Sequence, residues 1–198
     1  MNSKFFLASA LAVGLSISSV SYAIAQSAEP SEDATSDLPL GETVQTEPQA
    51  GDTYIKEEFG DWALRCIFIP DEEDRCQMYQ LLIDESNNPI SEFTLFRLQE
   101  GGAAAAGATI IVPLETSLGE QLTIQVDQQP AKRYPFAFCN TIGCFARIGL
   151  TQEDVDGYKQ GAKAVISIVP ISAPDQTVSV ELSLKGFTAG FEAASEVQ

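Results

Sequence analysis

The chain has 198 residues, of which 28 are acidic, 11 basic and none histidine, giving a formal charge of −17. That charge repels phosphate backbones and anionic headgroups, which argues against nucleic-acid or membrane-surface binding. The lack of any imidazole removes Ser-His-Asp and Cys-His catalysis and the usual His-based metal sites.

Residues 1–25 have the form of a secretory signal. Lys4 supplies the positive end, Phe5 to Val20 is mostly apolar, and Ala23-Ile24-Ala25 is a small-x-small cleavage motif, so we expect cutting before Gln26. No later apolar run approaches the 18 or so residues of a membrane span. From 26 to 58 the composition turns to Glu, Asp, Pro, Ser, Thr and Gln, too poor in large apolar groups to offset chain entropy, and a disordered acidic leader is expected. This leader holds nine acids and one base, Lys56, whereas 19 acids and nine bases follow it, so the acidity belongs to both regions.

Residues 59–193 are long enough for one domain with a single core. Alternation places Trp62, Leu64 and Cys66 on one face of a first strand, with Ala63 and Arg65 on the other. A polar connection at Pro70 to Asp74 leads to a second strand from Cys76 to Ile83. The run Asp71-Glu72-Glu73-Asp74 lacks the alternating ligands, central Gly and distal Glu of a calcium loop, and reads as a solvated turn. Ile90 to Leu98 carries apolar groups on both faces, as a central strand does. Glu100 to Gly107 reads as a Gly/Ala linker. Ala108 to Pro113 and Gln121 to Val126 are then expected to pair across a turn at Leu118-Gly119-Glu120.

In the stretch Arg133 to Leu150, Tyr134, Phe136 and Phe138 alternate with smaller groups, so their rings are expected to point inward. Asn140, Thr141 and Gly143 supply turn chemistry, and Cys144 to Ile148 resumes an extended pattern. Thr151 is the expected N-cap of a helix to Gln160, with Glu153 and Asp154 in the first turn and Gly161 as its stop. Lys163 to Val169 and Thr177 to Leu184 form two closing strands. Phe187 to Ala193 reads as either a strand or a terminal helical turn, and 194–198 as a frayed tail.

Four cysteines allow three pairings. The favoured one is local, Cys66 with Cys76 and Cys139 with Cys144, because each pair flanks a single turn and an exported chain meets oxidising conditions. Lys132, Arg133 and Arg147 form a small basic spot beside the second clamp and are the candidate partner contacts. No two carboxylates are forced together by spacing, and no catalytic, cofactor-binding or metal site is expected. The fold class is all-β: a sandwich of antiparallel strands with one short helix and two local disulfides.

Five blocks in order, F-G-D-W-x-x-x-C at 59–66, C-Q-M-Y-Q-L-L at 76–82, A-G-A-T-I-I-V-P-L-E-T at 106–116, Y-P-F-x-F-C-N-x-x-G-C at 134–144 and S-L-K-G-F at 183–187, resemble the invasion-associated locus B family. The resemblance spans about 59–193 and covers neither signal nor leader. It implies an exported α-proteobacterial protein of β-sandwich type, virulence-associated in some relatives, with no catalytic residues to carry across. The expected function is therefore a non-enzymatic binding or structural module of the periplasm or cell surface, whose partner is a protein or envelope component. The competing expectations are a disulfide-active folding factor using Cys139 and Cys144, and a carboxylate hydrolase.

Overall fold

The structure, a computed structural model, describes residue 41 and residues 48–99 and 102–197. The signal and most of the leader lie outside the described residues. Two sheets make up the domain. The larger contains β1 (Thr53–Phe59), β2 (Trp62–Ile67), β3 (Arg75–Ile83), β4 (Pro89–Leu98), β5 (Ala106–Val112), β8 (Phe138–Cys139), β9 (Cys144–Leu150) and β12 (Glu196–Val197). Its strand order is β1-β2-β3-β4-β5-β9-β8, with β12 added to the end of β4. The smaller contains β6 (Leu122–Val126), β7 (Lys132–Tyr134), β10 (Lys163–Ile168) and β11 (Val178–Ser183), in the order β11-β10-β6-β7. All pairings are antiparallel except that of β12 with β4.

Strict alternation explains most of these strands. β2 and β3 bury every second residue, and Leu64, Met78, Leu82, Phe93, Leu95 and Ile110 meet Leu122, Ile124, Ile166, Val180 and Leu182 in one core. Each such side chain, fully buried, contributes about 1.5–3 kcal/mol. At one end the core is aromatic. Trp62 stands edge-on to Phe93 and Phe187, and Phe187 stacks on Tyr158. Phe187 belongs to a second helix, α2 (Phe187–Ala193), and Tyr158 to α1 (Gln152–Gln160). Of its two expected forms Phe187–Ala193 takes the helical one, so a second helix joins the one short helix of the expected fold. β4 is central, as its two-sided apolar pattern implied.

Both disulfides have the local pairing, Cys66–Cys76 across β2 and β3 and Cys139–Cys144 across β8 and β9. Several other expectations are corrected. Residues 53–58, the end of the expected leader, form strand β1 together with Phe59, paired with β2 through a bulge between Ile55 and Glu57. The tail is tied down: the Ser195 amide donates to the Cys76 carbonyl, and the Cys76 amide donates to Ser195 Oγ. The linker ends early, because Ala106 and Gly107 already belong to β5. β5 and β6 do not pair with each other; the chain passes from one sheet to the other through a 3-10 turn at Leu118–Glu120.

Tyr134, Phe136 and Phe138 do not share one strand either. Pro135 lacks an amide donor, and the chain leaves β7 of the small sheet at Tyr134 to enter β8 of the large sheet at Phe138. The Phe138 ring is consequently 40% exposed instead of facing inward.

The sheets are stitched together by polar bonds at one point. The Ser183 carbonyl accepts from Trp62 Nε1 at 2.8 Å and from Gln80 Nε2 at 3.0 Å, and the Ser183 amide donates to Gln80 Oε1 at 2.8 Å. Gln80 is buried, so this reciprocal pair satisfies an amide that would otherwise be costly to desolvate.

Candidate functional site

The small sheet and the helices cover one face of the large sheet. The other face carries the second residue of each alternating pair. Antiparallel register lines these residues up in rows that cross the strands. One row runs Leu81, Glu92, Ile111, Phe145, Phe138. The next runs Ala63, Tyr79, Thr94, Thr109, Arg147. A third includes Arg65 beside Gln77, and Phe96 beside Gly107 and Gly149.

The first row opens into a groove of ≈ 380 Å³ between the ends of β3, β4 and β5 and the clamped turn. Leu81, Leu114 and Ile142 line it and are 45%, 53% and 71% exposed. Single exposed aliphatics are ordinary on a surface, whereas these three share the lining of one groove. The clamped turn holds Ile142 outward. Its amide donates to Asn140 Oδ1, the Asn140 amide donates to the Gly143 carbonyl, and Cys139–Cys144 closes the base. Gly143 permits this close seat, since a Cβ there would lie 2.4 Å from the Val112 carbonyl oxygen.

The second and third rows carry arginine against aromatic rings. The Arg65 guanidinium lies 4.1 Å from the centre of the Tyr79 ring and donates from Nη2 to Thr94 Oγ1 at 3.3 Å. Arg147 lies 5.1 Å from the centre of the Phe138 ring, and Phe138 stacks on Phe145 at 4.7 Å. Partial burial, with the Glu92 carboxylate nearby, pushes the Tyr79 hydroxyl above its ordinary range, against the smaller opposing pull of Arg65. The phenol is therefore neutral at physiological pH. Among the described residues neither Arg65 nor Arg147 has a carboxylate within ion-pair distance, whereas Arg97, Lys132, Lys159 and Lys163 each do.

The three candidate contact bases are not brought onto one face. Lys132 and Arg133 lie on β7 of the small sheet, Arg147 on β9 of the large one. Lys132 is held by Asp154 of α1, and that hydrogen bond raises its ammonium above the ordinary lysine range. Arg133 is exposed beside Thr123. Only Arg147 joins the open face. Alternation alone did not single out Leu81, Ile83, Leu114 and Ile142. Their signal is parity: Leu81 and Ile83 occupy the outward positions of β3, where a one-sided strand would carry polar groups.

The acidic run at 71–74 is a turn, in which Asp74 accepts from the Tyr54 hydroxyl and the Ile69 amide. Among the described residues no group of three or more Cys, Asp and Glu is placed to hold a metal ion, and no helix is long and apolar enough to cross a membrane.

Comparison with known proteins agrees with this architecture. No protein of curated description matches the chain. Among solved structures, the crystal structure of invasion associated protein B from Bartonella henselae is similar with a TM-score of 0.57 at 19% identity, over 67% of this chain and 89% of that one. At that identity the likeness concerns the fold. The pattern of the Invasion associated locus B (IalB) protein family matches residues 62–195, from the core tryptophan to the serine that ties down the tail, and the chain belongs to that family.

Proposed function

We propose that this protein is an exported, non-enzymatic binding module of the periplasm or cell surface, contributing to host-cell invasion or envelope contact through the open face of its large sheet. The observation that carries this reading is the contiguous apolar groove held open by the Cys139–Cys144 turn, on a face with no covering layer among the described residues. Family membership supports the link to invasion. Two disulfides suit an oxidising compartment such as the periplasm. The uncovered aliphatics cost solubility without serving the core, which is the cost a contact surface accepts.

The test uses the mature chain immobilised on a support and exposed to envelope extract. An envelope component is expected to be retained, to be lost from the Leu81→Asp/Ile142→Asp variant, and to be kept by Ser179→Asp on the small sheet. Equal retention by all three proteins would overturn the reading. So would reproducible turnover of a glycan or peptide substrate that disappears when one carboxylate is replaced.

A further inference from the structure

Resting on that reading, we infer that the occupant of the open face is an acidic amphipathic helix of a partner protein, lying across the strands with aliphatic side chains on the Leu81–Phe138 row and carboxylates on the Tyr79–Arg147 row, over which the Arg65 guanidinium also lies from the row beyond. Two observations carry this: the free arginines and the spacing of the rows.

The chain is strongly acidic, yet Arg65 and Arg147 of this face, like Arg75 at the outward start of β3, have no carboxylate within ion-pair distance among the described residues. Each lies against a ring, Arg65 on Tyr79 and Arg147 on Phe138. Such packing fixes the guanidinium and, apart from the Arg65 Nη2 bond to Thr94, leaves N–H groups for the pairing that carboxylates prefer. The net negative charge elsewhere does not prevent this contact, because exposed charges beyond about 8 Å are largely screened at physiological ionic strength.

Neighbouring rows on one face of a strand are separated by two residues, about 7 Å, so adjacent stripes of one helix about 10 Å across can reach both. From β3 to β8 is four strand spacings, about 19 Å, the length of about 13 helical residues. An extended peptide would instead present its alternate side chains to opposite sides, reaching only one row. Exposed aliphatics such as Leu81 and Ile142 offer little to a polysaccharide, which favours a protein partner. Glu92 sits within the apolar row and disfavours a carboxylate there, which sets the stripe order.

The probe is a labelled synthetic amphipathic peptide with one leucine stripe and an adjacent glutamate stripe, measured by fluorescence anisotropy and circular dichroism against the mature chain. Binding is expected with a gain of helix, about tenfold weaker for Arg147→Gln and for a Glu-to-Gln version of the peptide, with partial recovery in Arg147→Lys. Unchanged affinity in Arg147→Gln would overturn the inference, as would equal binding of a Glu-to-Lys peptide. Binding of polygalacturonate in place of the glutamate peptide would also overturn it. The two readings fail separately. If the envelope component is lost from Leu81→Asp/Ile142→Asp but unaffected by Arg147→Gln, the acidic helix is wrong and the binding face stands. If the aspartate variant still retains it, the face itself is wrong.

Discussion

Gly186 holds a φ of +87°, and a Cβ at that position would lie 2.0 Å from the Phe59 carbonyl oxygen. Across from it Gly60 has a φ of +61°, with a Cβ position 2.5 Å from the Lys185 carbonyl oxygen. The two turns therefore press backbone on backbone, and the Asp61 amide donates to the Lys185 carbonyl at 3.2 Å. Gly186→Ala meets both a strained dihedral and a clash with main chain that cannot swing aside, so it is expected to cost about 3 kcal/mol or more in urea unfolding. Gly119→Ala, where an added Cβ meets nothing within 4 Å, is the control, with a change within about 0.5 kcal/mol. The blocks F-G-D-W and S-L-K-G-F were visible as separate motifs. That their glycines touch was not, because they lie far apart in the chain and neither carries a side chain whose chemistry points to the other.

Helix α1 shows how much a short element can depend on one carboxylate. The Thr151 side chain accepts from the Asp154 amide, Asp154 accepts from the Thr151 amide, and Lys132 pairs with Asp154 from β7. Burial tends to raise the Asp154 carboxyl, but Lys132 and Thr151 together outweigh it and hold the group below its ordinary range. A depressed carboxylate contributes stability that is present above the unfolded value of about 4 and is lost as pH falls through the folded value. The thermal stability of the native chain is thus expected to fall from pH about 4 downward. Asp154→Asn should begin less stable at pH 7 and show a flatter acid limb, and equal acid limbs would refute this assignment. The cap was readable because Thr followed by acidic residues is a local signal. So were β2, β3, β9, β10 and β11, whose alternation is regular. β1 was hidden because Lys56, Glu57 and Glu58 make an edge strand look like a solvated leader. The β5-to-β6 crossing was hidden as well, since the three residues Leu118–Glu120 suit a turn within one sheet as well as a passage between two.

At the scale of the molecule, the disulfides brace two different places. Cys66–Cys76 is buried between β2 and β3 and also anchors Ser195, while Cys139–Cys144 has one exposed sulfur-bearing residue and shapes the groove. On loop-closure entropy alone their loops contribute about 3 and about 2 kcal/mol. Removing Cys66 and Cys76 together is expected to cost more, because it also hollows the core and loosens the tail. The Cys139→Ser/Cys144→Ser variant should stay folded, with a smaller loss of melting temperature, while losing the envelope component retained by the native chain. Similar losses of stability in the two variants would argue against that division. The fold class and both pairings were legible because each rests on local pattern. The open face was not, because it is made by register across five strands, which no single segment encodes. The stitch at Ser183 has a mechanical consequence for such a face. A load applied to the outer layer passes through Gln80 and Trp62 into β11 beneath, so the two layers resist sliding past one another and bear traction as a unit.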